Sequence, residues 1–249
     1  DHLILNGEKV YTTNGSVADY FLVYGVSNVS DPRGSMYQLL VERERKGITA
    51  NRLGIQSIPR VQVSQTIFDS VKIPKSNIIG DKGQGYRNLF SGLVAERDAI
   101  IGSSLGIAWL SAIIALIYTN LRTQFGQPIY KYQAVSFPMT QLFTELMAAT
   151  ELAFESATEY RKTLKYKDRK FIKYNAAFSS GTKFLASNLA HKISYEAQQL
   201  CGGIGFTDNL RIDKALEVAK VQEIIGGARN IQLYLVSRAI KDIVKRLIS

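Results

Sequence analysis

The spacing of apolar residues changes once along this chain, from a period of two to a period of three and four. Up to about residue 80, short β-branched and aromatic runs predict strands at residues 20–26, 35–41 and 60–68. Pro74 closes this segment, because proline cannot donate to a central ladder. Asn6-Gly7 lies between two further apolar runs and predicts a hairpin, because both residue types tolerate the positive φ of a type I′ turn.

From about residue 86 onwards the apolar positions recur at the spacing of one helical face. The pattern predicts four helices, at residues 86–122, 134–165, 169–201 and 218–247. Long helices with short connections are typical of an antiparallel bundle. We therefore predict an α+β protein, with a β domain at residues 1–84 and an antiparallel four-helix-type bundle at residues 85–249.

Composition narrows the class of protein only slightly. The 249 residues are 46% apolar, which is ordinary for a globular chain, and the net charge is +10. The densest basic run, residues 161–173, falls between two predicted helices, so we interpret it as a solvated connection. A basic helical protein that binds nucleic acid is the alternative, but no zinc spacing or RNA-binding motif supports it. We expect no nucleic acid, no membrane and no metal as partners.

Three further features of the chain bear on its setting. The single cysteine, Cys201, excludes an internal disulfide framework and favours a reducing, cytoplasmic compartment. No apolar run approaches the length that spans a bilayer. The chain starts at Asp1 without a signal-peptide pattern, and we expect this to be a cut or processed end.

A carboxylate on an apolar stripe is the first candidate for chemistry. The stripe consists of Leu89, Leu93, Glu96, Ile100 and Ile107, at helical spacing. A buried carboxylate must be paired, hydrated or functional, because burying an isolated charge is costly. Burial would also make Glu96 hold a proton more tightly, as a general base near neutral pH requires. The alternative interpretation is a structural ion pair with Arg97 or with a residue at a helix end.

Two glycine-rich turns are the second candidate. Residues 199–206 (QLCGGIGF) end a predicted helix with three glycines, and Gly226-Gly227 interrupts another predicted helix. Each turn is compatible with a simple helix cap, for which glycine is preferred. Each is also compatible with close approach of the backbone to a phosphate-bearing ligand.

Five segments, in order along the chain, resemble motifs of the acyl-CoA dehydrogenase family of flavoproteins. Residues 5–15 (LNGEKVYTTNG) are similar to its hairpin LNGxKxxITNG, and residues 68–77 (FDSVKIPKSN) to FxxVxVPxxN. Residues 122–133 (RTQFGQPIYKYQ) resemble RxxFGxPI…Q, and residues 199–206 resemble QxxGGxGF. Ile231-Gln232 matches the end of YEGTSEIQ. Five matches in one order are far more specific than any one of them.

The resemblance implies FAD as the cofactor and an acyl-CoA thioester as the substrate. It implies that Tyr11 and Thr13 contact the flavin ring, and that Arg97 and Gly226 position the substrate. Further contacts to FAD, many of them to the flavin of a neighbouring subunit, are implied for Arg122, Phe125, Gln133, Gln199, Gly202, Gly203, Ala228 and Asn230. It also implies a homo-oligomer, as a tetramer or dimer of dimers, and an acceptor of the electron-transfer flavoprotein type.

The chain departs from the family pattern at the catalytic loop. Most members carry the glutamate base in YEGT, whereas residues 225–228 here read IGGA. Enzymes resembling isovaleryl-CoA dehydrogenase instead carry the base in a segment LxxER, and residues 93–97 here read LVAER. The resemblance therefore implies Glu96 as the base that removes the α-proton, while the flavin accepts the β-hydrogen as hydride, giving a trans-2-enoyl-CoA.

The second departure is at the start of the chain. The N-terminal helical domain and the TEPxxGSD strand of the family have no counterpart before Asp1, so we expect a truncated antiparallel β-sandwich or barrel. Three alternatives stay open: a non-catalytic subunit, an acyl-CoA oxidase and a flavin monooxygenase of the same fold. The lost YEGT glutamate, and residues 216–219 (LEVA) where the family usually has RDA, favour the first of these.

Overall fold

The structure is a computed structural model that describes residues 1–166 and 169–248, without the side chains of residues 166, 169–173 and 246. The chain forms two compact units, Asp1–Leu93 and Val94–Ser249, and each is described by itself. The predicted domain limits at residues 84 and 85 stay a prediction. The predicted basic connection around Lys167 lies outside the described residues.

The first unit contains two antiparallel sheets. Its strands are β1 (His2–Thr13), β2 (Tyr20–Val26), β3 (Met36–Glu42), β4 (Ile48–Arg52) and β5 (Val63–Pro74). One sheet has the order β1-β5-β4, and the other pairs β2 with β3. Both sheets contribute side chains to a single core, in which Val41, Val71 and Ile73 are fully buried. The predicted β-rich half is confirmed, although β4 was not predicted and β5 is longer than expected.

The predicted hairpin at Asn6-Gly7 is wrong. Strand β1 continues through both residues and pairs with β5 along its length. Leu5 lies opposite Val71 and Gly7 opposite Phe68, so β5 has one extra residue between these pairs. This bulge absorbs the unusual backbone of Gly7, whose φ is 145°. The Asn-Gly pair therefore marks an irregularity within one strand, because a distant strand supplies the pairing partner.

The second unit is helical. Its helices are α1 (Gln84–Leu121, which begins in the first unit), α2 (Gln133–Tyr166), α3 (Arg169–Cys201), α4 (Ile212–Ile224) and α5 (Arg229–Leu247). The first three predicted helices are confirmed to within a few residues. The last predicted helix is instead two helices, because Gly226 and Gly227 have φ values of 61° and 100° that end α4. The predicted α+β class is confirmed.

Helices α1, α2 and α3 enclose one apolar core. Leu105 of α1, Leu146 of α2 and Ile193 of α3 belong to it, together with several alanines that let the helices approach closely. Helix α3 also packs against α4 and α5. Within this unit, the first residues of α1 after Val94 lie beside the turn between α4 and α5.

Helix α1 is long and apolar enough to cross a membrane, judged by length and composition alone. Its richest 18-residue window has a mean hydropathy of 2.2, which corrects the prediction that no run approaches this length. The prediction failed because scattered glycines and serines interrupt the apolar run but lower its mean hydropathy only slightly. Since 44% of this window is buried inside the chain, the same property also fits a core helix of a soluble protein.

Candidate functional site

A cavity of about 490 Å³ lies in the β unit, mainly between β1 and β2. Tyr11 and Thr13, the two predicted flavin-ring residues, both line it, with Phe21 and Phe68 among the apolar wall residues. Tyr11 is 73% exposed and has a φ of 61°, which a bulky side chain adopts only when its surroundings impose it. A cavity of this volume with mostly apolar walls can hold a small ligand or one ring system of a larger ligand.

Glu96 and Arg97 occupy the part of α1 that belongs to the helical unit. The predicted burial of Glu96 is wrong: its side chain is exposed, whereas Arg97 retains only 3% exposure. The reason is the phase of the helix, because one residue turns the side-chain direction by about 100°. Arg97, Ile101 and Leu105 are buried, and of the predicted stripe Ile100 is buried beside them. Among the described residues Glu96 makes no ion pair, which removes the main support for a structural ion pair.

The turn between α4 and α5 lies directly against Glu96. A Cβ atom added to Gly226 would stand 3.7 Å from the Glu96 carboxyl carbon and would collide with Cδ1 of Ile100. A side chain at this position would therefore displace the end of the Ile100 side chain, and Glu96 occupies the adjacent space. The structure thus brings the predicted site residue Gly226 against two others that lie about 130 residues earlier in the sequence, Glu96 and Arg97.

Three buried side chains bind the carbonyl groups of this turn. Arg97 Nε donates to Gly226 O at 3.4 Å. Gln232 Nε2 donates to Gly226 O at 3.2 Å and to Gly227 O at 2.7 Å. Lys183 Nζ donates to Gly227 O at 3.0 Å and to Glu223 O at 3.2 Å. Among the residues that the structure describes, the N–H groups of the two glycines donate to no acceptor, so they remain free to bind a ligand.

Burial dominates the electrostatics around this turn. It lowers the pKa of Lys183 to about 8, and the positive charge of Arg97 acts in the same direction. Burial likewise lowers the pKa of Arg97, against the attraction of Glu96 and Asp98. Burial raises the pKa of Asp98, although hydrogen bonds from Ser179 and Ser156 oppose this shift. Two buried cationic side chains, Lys183 and Arg97, therefore bind the turn next to which the exposed carboxylate of Glu96 lies.

Lys183 was not identified from the sequence. It lies in the middle of α3 and is only 1% exposed. A lysine at an inward position of a helical pattern is the one signal that could have indicated it, since lysine is almost never fully buried without a partner. Its partners are backbone carbonyls 40 and 44 residues further along the chain, and no sequence pattern reveals those.

The residues around Arg122 form a small hairpin, with strands Thr123–Gln124 and Gln127–Pro128. Phe125 and Gly126 both have positive φ, at 50° and 84°, as a tight two-residue turn requires. The Phe125 ring is 93% exposed, with one edge against the ring of Tyr132. The Tyr132 hydroxyl donates to Gln124 O at 3.2 Å and stabilises the hairpin. This tyrosine was not among the predicted site residues.

The remaining predicted cofactor residues lie on the surface at the ends of helices. Gln199 is in the last turn of α3, and Gly202 and Gly203 start the short 3₁₀ helix that follows it. Ala228 caps the start of α5, with Asn230 in its first turn. Arg122, Gln133, Gln199, Gly202, Gly203, Ala228 and Asn230 are all exposed in this chain. A Cβ atom added to Gly202 would meet no atom within 4 Å, so its backbone is open to a ligand.

Comparison with known proteins gives one consistent result. Residues 83–241 match the family described as "Acyl-CoA dehydrogenase, C-terminal domain". The short-chain-specific acyl-CoA dehydrogenase of Megasphaera elsdenii is 28% identical over 240 residues, which are 95% of this chain and 60% of that protein. An acyl-CoA dehydrogenase of Bacillus subtilis is 28% identical over 239 residues, again with 60% of its length covered. The chain thus spans about 60% of the length of these curated relatives.

Solved structures agree in fold. The structure of butyryl-CoA dehydrogenase from Megasphaera elsdenii superposes with a TM-score of 0.86 at 26% identity, over 95% of this chain and 60% of that one. A chain from the structure of the electron transferring flavoprotein of Acidaminococcus fermentans superposes with a TM-score of 0.87 at 26% identity. That match covers 96% of this chain and 61% of the other.

Proposed function

The chain belongs to the acyl-CoA dehydrogenase family, and from that premise we propose that it supplies the base and most cofactor contacts of an FAD-dependent enzyme. The proposed reaction is the α,β-dehydrogenation of an acyl-CoA thioester to a trans-2-enoyl-CoA. The observation that carries the proposal is the contact between Glu96 and the Gly226 turn. Most members of the family carry their glutamate base at the position of Gly226, and here a glutamate from α1 lies beside that position.

The residues present fit an FAD molecule. The β-unit cavity is lined by Tyr11 and Thr13, where the family resemblance expects the flavin ring. Arg122 is exposed, and its guanidinium group can pair with a diphosphate through two parallel hydrogen bonds. The open backbone at Gly202 allows close approach of a ligand. FAD, when bound, supplies the acceptor for the hydrogen that leaves the β-carbon as hydride.

Residues of this chain can carry out the removal of the α-proton. Glu96 is an exposed carboxylate without an ion-pair partner among the described residues, so it is free to take the α-proton of a bound thioester. As that proton leaves, negative charge grows on the thioester oxygen. The free N–H group of Gly226 is a donor for this oxygen, and donors held in place in this way lower the barrier.

Several further proposals concern the surroundings of the reaction. Leu110, Ile113 and Ile117 of α1 are all exposed and, at spacings of three and four, share one helix face. This face supports a homo-oligomer, as a tetramer or dimer of dimers.

The likeness to a chain from an electron transferring flavoprotein structure supports a carrier flavoprotein as the electron acceptor. A role in fatty acid metabolism and a cytoplasmic location are also proposed, the latter on the buried free thiol of Cys201.

The test is reduction of the flavin by substrate in the full-length protein. Under anaerobic conditions, a panel of acyl-CoA thioesters should bleach the absorbance of the oxidised flavin in the wild-type protein. Glu96→Gln should retain FAD but lose this bleaching by about 10³-fold or more, because the amide cannot accept the α-proton. Glu151→Gln, at another exposed position of the helical unit, is the matched control and should bleach normally.

Three results would count against the proposal. Bleaching of Glu96→Gln at the wild-type rate would remove Glu96 as the base. A wild-type protein that binds no FAD would favour the non-catalytic subunit. Bleaching followed by rapid reoxidation in air would favour an oxidase over a dehydrogenase.

A further inference from the structure

Lys183 is unusual among the buried residues of the helical unit. Its side chain is 1% exposed, and among the described residues no carboxylate lies within ion-pair distance of its ammonium group. The nearby carboxylate of Glu223 is bound instead by Lys220, at 2.7 Å. A buried charge without a counter-ion is costly, so the hydrogen bonds that Lys183 makes must offset that cost.

Those hydrogen bonds go to the chain segment that carries the site. Lys183 Nζ binds Glu223 O, at the last turn of α4, and Gly227 O, in the turn itself. One ammonium group therefore joins the end of α4 to the second glycine. Both acceptors lie near a helix C-terminus, where the partial negative charge of the exposed carbonyls favours a cation.

Gln232 supports the same turn from the other side. It is fully buried, and its Nε2 group binds the carbonyls of both glycines. Its Oε1 atom is buried and has no partner among the described residues. The amide is thus oriented entirely by the turn, at the cost of leaving one acceptor unpaired. With Arg97 bound to Gly226 O, each glycine carbonyl receives two donors.

The consequence concerns the N–H groups. A peptide group is planar and joins the carbonyl of one residue to the N–H of the next, so these donors directly restrain the N–H groups of Gly227 and Ala228. The Gly226 N–H belongs to the preceding peptide group, which is held between the bonded Gly226 carbonyl and the Ile225 N–H that donates to Val221 O. Gly226 and Gly227 have no side chains and positive φ values, and on their own they would be the most mobile residues of the segment. The structure therefore compensates for the flexibility of the glycines with three buried donors.

We propose that Lys183 is a positioning residue, which together with Gln232 holds the Gly226–Gly227 turn so that the Gly226 N–H stays beside Glu96 for the thioester oxygen. This inference rests on the proposed function. It assigns Lys183 no contact with substrate. The residue acts through the turn, and its loss should affect the reaction step more than substrate binding.

The experiment compares Lys183→Met with Lys220→Met in the full-length, FAD-loaded protein. Methionine preserves length and apolar volume but removes the donor. Lys183→Met should lower kcat for acyl-CoA oxidation by about 10- to 100-fold, because a misplaced oxyanion donor loses most of its value. KM should change by less than about threefold, because ground-state contacts are kept. Lys220→Met removes an exposed lysine bound to the same helix end and should leave both constants unchanged.

A second measurement needs neither substrate nor turnover. The N–H groups of Ile225, Ile231 and Gln232 bond backbone carbonyls on either side of the turn. Their hydrogen exchange should be faster in Lys183→Met than in the wild type or Lys220→Met. Propylamine, but not propanol, should restore kcat and slow exchange in Lys183→Ala, because only the amine replaces the missing cation.

The outcomes separate the two proposals. If no acyl-CoA bleaches the wild-type flavin, the proposed function fails, while the exchange rates still decide whether Lys183 holds the turn. Unchanged exchange and unchanged kcat in Lys183→Met would overturn the positioning role. If Lys183→Met does not fold, Gln232→Met provides the same comparison: a loss confined to kcat supports the proposal, and a loss of thermal stability alone overturns it.

Discussion

The buried ammonium group of Lys183 should make the stability of this protein increase with pH above neutrality. Burial lowers its pKa from 10.5 to about 8, so the folded chain releases this proton earlier than the unfolded chain does. Between these two values the unfolded state binds more protons. Under that condition the free energy of unfolding increases with pH.

The magnitude follows from the difference between the two pKa values. Each tenfold difference in proton affinity is worth about 1.4 kcal/mol. Keeping Lys183 protonated therefore costs the folded state about 3 kcal/mol near neutral pH, and about 2 kcal/mol of this is recovered between about pH 7.5 and about pH 9.5. Lys183→Met has no such proton and should lack this increase.

Urea unfolding, followed by circular dichroism at both pH values, measures the effect. The quantity of interest is the difference between the wild-type protein and Lys183→Met, because contributions from other groups cancel in it. An example of such a group is Lys214, whose pKa is raised by its bond to Glu217. Lys220→Met, which removes a largely exposed side chain, should follow the wild-type pH dependence. Parallel pH curves for the wild type and Lys183→Met would refute the reasoning.

Two stability predictions concern packing. Gly226→Ala should lower the free energy of unfolding by about 2–4 kcal/mol, because its Cβ meets Ile100 and its φ is positive. Gly102→Ala, in α1 with open space around the added Cβ, should instead raise the free energy of unfolding by about 0.5–1 kcal/mol. Thermal melts in which the two glycine variants shift the melting temperature equally would contradict this prediction. Leu146→Ala should cost about 2–5 kcal/mol, since the side chain is fully buried, whereas Met147→Ala, at 59% exposure, should cost much less.

Periodicity alone was sufficient to predict the types of element in most of the chain. Strand Tyr20–Val26 and helix Arg169–Cys201 have the limits that the pattern indicates. Such patterns are reliable because side-chain direction repeats every two residues in a strand and every 3.6 in a helix. The five motifs likewise indicate the family from the sequence alone.

Tertiary contacts decided the points where the local pattern failed. Asn6-Gly7 has the composition of a hairpin turn, but β5 pairs along the whole of β1 and turns the irregularity into a bulge. A stripe of apolar residues placed Glu96 inside, yet the core faces Arg97, because a shift of one residue rotates a helix by about 100°. Short patterns do not distinguish such neighbouring phases.

In the candidate site, too, some features follow from the sequence and others only from the tertiary structure. The sequence by itself indicated Glu96, Arg97 and the double glycine as chemically informative, through residue type and motif order. Only the folded chain shows that Gly226 lies against Glu96 and that Lys183 binds the turn from a different helix. The physical reason is that residue type and periodicity are local properties. Which distant carbonyl a buried cation binds, by contrast, depends on how the helices pack.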